Sequence, residues 1–153
     1  MNAKLIVLGG FAFYVMTWLI SFVTGPLIHE GVLAETYAAT ASFWRPELMQ
    51  EPPDMAALMP RWIVTGLIFA FVVAGLYGCF GRAIAGKGFL HGAKFGLLLS
   101  IFAAALMGTW TGIFNLPDHI WFWWIGETVV SFAICGGALG WVADRWCAPA
   151  PTA

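Results

Sequence analysis

Residues 62–80 read WIVTGLIFAFVVAGLYGCF, nineteen positions without one charged side chain. A helix needs about 20 mostly apolar residues to cross about 30 Å of hydrocarbon, and this run is long enough alone. Apolar and polar residues do not alternate along it, which excludes a barrel strand. Lipid offers no water to backbone N–H and C=O groups, so the segment must bond to itself as a helix. Three further runs, 5–28, 93–114 and 120–143, repeat the pattern. The four together predict an all-α polytopic membrane protein. Its expected form is a four-transmembrane-helix bundle, one integral membrane domain over 1–153, with a short extracytoplasmic cap from the outer loop 30–61.

Composition agrees. The chain is 61% hydrophobic and 10% charged, where soluble domains carry about 25% charged residues. A net charge of −1 provides no basic patch of the kind nucleic acid requires. The first run begins after Lys4, as a secretory signal does. It is too long for a signal core and no small-residue cleavage site follows it, so a retained helix is expected. The short tail 148–153 is the one low-complexity segment. Cys79, Cys135 and Cys147 show no metal-ligand spacing and are expected as reduced thiols on the cytoplasmic side.

Basic residues set the orientation, because they stay cytoplasmic. Lys4, Arg82, Lys87, Lys94 and Arg145 lie on one side, and only Arg45 and Arg61 on the other. Both termini and the loop 81–91 are therefore expected inside. There, Arg82, Lys87 and Lys94 can meet anionic headgroups, and His91 is expected as a solvated loop residue. Glu30, Glu35, Glu47, Glu51, Asp54 and Asp118 all fall outside. Trp44, Trp62, Trp110, Trp121, Trp123 and Trp124 mark the outer boundary and Trp141 and Trp146 the inner one, as indole rings favour the headgroup layer. Pro46, Pro52, Pro53 and Pro60 break the outer loop. Two short helices remain possible there, 35–43 and 54–58, the second with Asp54 as its N-cap.

Small residues four apart let lipid-embedded helices approach closely. Gly92 with Gly96, Gly108 with Gly112, and Gly136 with Gly140 have that spacing. On the fourth run, at 100° per residue, Glu127, Ser131 and Cys135 form one stripe. Ala133, Gly136, Gly137 and Gly140 form another, nearly opposite. The expectation is that one face packs inside the bundle and the other meets a second copy or a partner membrane protein.

Glu127 is the only acidic residue inside the four runs. It lies ~10 Å below the outer boundary, counting 1.5 Å per residue from Ile120. A carboxyl there must be protonated or hydrogen-bonded. Ser21 and Thr109 reach similar depth by the same counting and are its expected partners, with Ser131 one turn further along. Two readings stand: a proton or cation relay or polar ligand contact, and interhelical glue. His29 and His119, flanked by Glu30 and Asp118 at the outer surface, are metal candidates. Met55, with Met49 and Met59 in the same loop, adds a soft ligand of the kind Cu(I) selects. No Ser/His/Asp set, nucleotide loop, HExxH or paired carboxylates appear, so no catalytic residue and no cofactor is expected.

The segments Arg45-Pro46-Glu47, Glu51-Pro52-Pro53-Asp54-Met55, Gly92-Ala93-Lys94-Phe95-Gly96 and Gly136-Gly137-Ala138-Leu139-Gly140-Trp141-Val142 resemble a group of small uncharacterised bacterial membrane proteins. The likeness extends to length, four spans and an acidic Pro-Asp-Met outer loop. The Trp121–Trp124 cluster departs from it. The resemblance implies a bacterial inner membrane and no particular activity. The expected role is a non-enzymatic accessory or scaffold subunit associating through small-residue faces. The alternatives are a transporter or channel using Glu127 and an extracytoplasmic metal-handling protein.

Overall fold

The computed structural model describes residues 2–147; the tail 148–153 lies outside them. The chain is an all-α bundle, with no strand among the described residues. Four helices are long and apolar enough to cross a membrane.

Helix α1 spans Ala3–Thr24, its first turn capped by the Asn2 side chain accepting from Lys4 N at 3.1 Å. The helix does not stop at Thr24. It runs on as a π-helix over Gly25–Val32, closing with a bond from Leu33 N to Ile28 O at 2.8 Å. Pro26 accounts for the change, because it has no N–H to give the preceding turn and its ring crowds that turn's carbonyl. Leu33 then buries completely and turns the chain into α2, Ala34–Ala39. Two 3₁₀ turns, Ala41–Phe43 and Pro46–Leu48, complete the cap.

Helix α3, Met55–Phe80, begins well before residue 62. Asp54 caps it as expected, accepting from Ala57 N at 3.1 Å. Pro60 sits inside α3 rather than ending it, and so near the start its missing donor costs a single bond. Helix α4 is Gly88–Trp110 and α5 is Asp118–Trp146. Asp118 in the first turn of α5 and Arg145 in the last both suit the helix dipole. The turn into α4 uses Gly86 at φ 138° and Gly88 at φ 54°, conformations that favour glycine.

α5 packs between α1 and α4, and α1 packs against α3. The α4–α5 crossing is a backbone contact. A Cβ on Gly92 would strike the Gly136 carbonyl oxygen, and one on Gly96 the Phe132 carbonyl oxygen. One on Gly140 would lie 2.6 Å from the Gly88 carbonyl oxygen. Gly92, Gly96, Gly136 and Gly140 are thus brought together as small residues bring lipid-embedded helices together. Gly108 and Gly112 are not, since a Cβ on either meets nothing within 4 Å. The spare face expected on α5 is also absent. Its glycine stripe is consumed by α4, while Cys135 on the other stripe is buried against Thr17 of α1 at 3.6 Å.

Phe13, Ala70, Val73, Ala74, Tyr77, Phe95, Cys135 and Leu139 form the core, drawing on all four long helices. His91 corrects the expectation of a solvated loop residue. It lies on α4, where its Nδ1 accepts from the Tyr77 hydroxyl at 2.8 Å and its Nε2–H donates to the Gly81 carbonyl at 2.7 Å. It thereby ties the end of α3 to the start of α4. Tyr77→Phe should leave that nitrogen without a donor and cost about 1 kcal/mol, read as a lowered midpoint of thermal unfolding in detergent. On this same side α1 and α5 are tied together, where Asn2 Nδ2 donates to the Cys147 carbonyl at 3.2 Å.

Candidate functional site

At the opposite end the bundle presents Glu127. α5 carries it nine residues past Asp118, and the π-helical turn of α1 aims His29 at it. His29 Nε2 lies 3.1 Å from Glu127 Oε2. The Thr24 hydroxyl, buried on α1, faces the same carboxylate. Neither Ser21 nor Thr109 does so. Both are exposed, and the Thr109 hydroxyl bonds the Leu106 carbonyl of its own helix at 2.7 Å. The depth count placed them level with Glu127, but their helices turn them outward. Ser131 is half-buried one turn below Glu127.

His29 reaches the cap through its other nitrogen, which lies 2.8 Å from the Tyr37 hydroxyl on α2. Trp124 Nε1–H of α5 donates to that same phenol oxygen at 2.9 Å. The rings of His29 and Tyr37 stack at 5.9 Å and 11°. Trp44 meets Tyr37 edge-on at 5.0 Å and Trp124 at 6.0 Å. The Trp44 indole N–H donates to Thr40 Oγ1 at 2.9 Å, and Thr36 Oγ1 is hydrogen-bonded to His119 Nε2 at 2.6 Å. Helix α2 is therefore fastened to α1 through His29 and to α5 through Trp124 and His119. Six residues could not hold this position as an isolated helix; these side chains hold it.

His29 and Tyr37 also line an open cleft of ≈ 410 Å³ under the cap, with Ala38, Leu48, Met49, Gln50 and Glu51 among its walls. Burial is the main cause that raises the Tyr37 phenol above its ordinary pKa, with the Glu127 charge adding to it against the Trp124 bond. The site thus keeps a neutral hydroxyl. Beside the cleft, Arg45 pairs with Glu47 at 2.8 Å and holds that carboxyl below its usual range.

His29, His119 and Met55 do not converge. Each histidine has its own partner, and Met55 opens α3. Among the described residues no three His, Cys, Asp or Glu side chains gather to hold a metal ion. What the arrangement can do is hold a proton along the line from Glu127 to His29 to Tyr37 and present hydrogen-bonding groups to the cleft. Tyr37, Trp124 and Thr24 are the members that sequence reasoning missed. Pro26 was the available signal, because π-turns of this kind mark places where a helix re-aims a side chain. Compared with protein-family models, curated proteins and solved structures, the chain finds no match in any of the three.

Proposed function

We propose that the chain is a non-enzymatic accessory subunit of a bacterial inner membrane, with both termini cytoplasmic and a binding site at its outer end. The observation that carries this reading is the one-sidedness of the polar site. Glu127 connects through His29 and Tyr37 to an open cleft. Toward the other end the bundle centre is a packed layer of Phe13, Val73, Ala74 and Leu139, none more than 1% exposed. A transport path through the bundle would have to cross that layer, whereas a binding site needs only its outer opening.

The open Gly108 near the end of α4, with Gly112 in the turn that follows, supplies the association face that α5 no longer offers. Purification from native membranes in mild detergent, followed by native mass spectrometry, tests this. A stoichiometric membrane partner is expected, displaced by Gly108→Leu with Gly112→Leu. A solitary chain whose liposomes pass protons, and stop doing so with Glu127→Gln, would overturn the reading in favour of transport.

A further inference from the structure

We propose that the outer cleft binds an uncharged, ring-bearing carbonyl compound from the membrane phase, whose carbonyl oxygen accepts a hydrogen bond from the Tyr37 hydroxyl. The inference rests on the reading of the cleft as the working site and adds the class of its ligand.

An indole N–H can only donate, so the Tyr37 oxygen accepts from Trp124 in every state. An ionised carboxylate can only accept, so His29 Nε2 carries hydrogen toward Glu127. One hydrogen then remains to be placed, that of the Tyr37 hydroxyl. When the imidazole is neutral, its Nδ1 accepts that hydrogen, and the chain from Trp124 through Tyr37 and His29 to Glu127 is closed. When the imidazole carries a second proton, Nδ1–H donates to Tyr37 instead. The phenol oxygen now accepts twice, using both lone pairs, and its own hydrogen is freed for a new acceptor, Tyr37 being one of the cleft's lining residues. One proton taken up at His29 becomes one donor offered to a ligand.

The walls select which acceptor enters. Glu51 lines the cleft and Glu127 offsets the charge of the protonated His29, while no Lys or Arg is among the lining residues, so the site keeps a net negative charge. That charge pattern repels carboxylates and phosphates and leaves an uncharged oxygen. Ala38, Leu48 and Met49 supply apolar wall beside the stacked rings of His29 and Tyr37, which suits a flat ring. Trp44 and Trp124 flank Tyr37, and indoles of this kind sit at headgroup depth, where a lipid-soluble molecule is within reach.

The titratable groups facing His29 are Glu127 from α5, Tyr37 from α2 and Glu51 across the cleft. A benzoquinone with a ten-carbon tail is the simplest probe. The full-length protein in phosphatidylcholine vesicles is titrated with it, tryptophan quenching is followed, and protein-free vesicles are subtracted. Saturable binding is expected, about tenfold tighter at about pH 5.5 than at about pH 8. Tyr37→Phe should weaken acid-side binding about tenfold and flatten the pH response. His91→Gln, at the far end of the bundle, should leave both unchanged.

Absence of saturable binding at either pH, or a Tyr37→Phe variant with the wild-type affinity and pH response, would overturn the proposal. A protein that keeps its membrane partner but ignores the quinone overturns the ligand class alone. A solitary chain that binds the quinone overturns the accessory role alone.

Discussion

Gly96→Leu is expected to separate α4 from α5 and destabilise the bundle by about 3 kcal/mol, the upper end of what overpacking costs. At Gly96 a Cβ would strike the Phe132 carbonyl and stand 3.2 Å from Ala133 N. Backbone cannot swing aside as a flexible side chain does, so the whole helix must move. The Gly92–Gly140 contact would open with it, since each of those glycines abuts the other's Cα. Gly108→Ala supplies the internal control on the same helix. It points into open space and should change stability by less than about 0.5 kcal/mol. Reversible unfolding of each variant in mixed micelles gives the comparison, and equal losses for the two would refute the backbone contact.

The second large effect is expected at His29. His29→Ala removes the donor to Glu127 and the partner of the Tyr37 hydroxyl at once. Breaking a fully buried pair costs about 3–5 kcal/mol. Here the two side chains remain 37% and 19% exposed, so water offsets part of the loss and about 2 kcal/mol is expected. The loss should be local. Amide exchange over α2 should accelerate while the α4–α5 crossing stays protected, because the α2 fastening passes through His29 and the glycine crossing does not. Glu127→Gln keeps an acceptor within reach of His29 and should cost less, about 1 kcal/mol. Uniform acceleration of exchange along all helices in His29→Ala would show that His29 supports the bundle rather than the cap.

The contrast between these two sites shows what the amino-acid pattern could reveal. Gly92, Gly96, Gly136 and Gly140 were legible because their spacing on regular helices is itself the packing signal. Gly108 and Gly112 share the spacing, but spacing does not say which pairs a neighbour fills. Glu127 stood out by cost, the one acid within the four runs. Its partner did not, because the depth count assumed straight α-helices that end at the membrane boundary. Pro26 converts the end of α1 to π geometry, which carries His29 onto α5, while Ser21, on the regular helix before it, faces outward. His91 was misread for a related reason: α4 starts at Gly88, so a residue counted as loop is in fact helical and packed on Tyr77. Tyr37 lay in a proline-broken loop, and only tertiary contacts make it the link between cap and bundle.

Central to this account is a direct interaction between His29 and Glu127, and a double-mutant cycle measures it most directly. His29→Ala, Glu127→Gln and the double variant are compared with wild type by reversible unfolding in one micelle composition. The predicted coupling is about 1–2 kcal/mol, the double variant losing less than the two single losses combined. Strict additivity, with coupling below about 0.3 kcal/mol, would contradict the account, for the two side chains would then act independently.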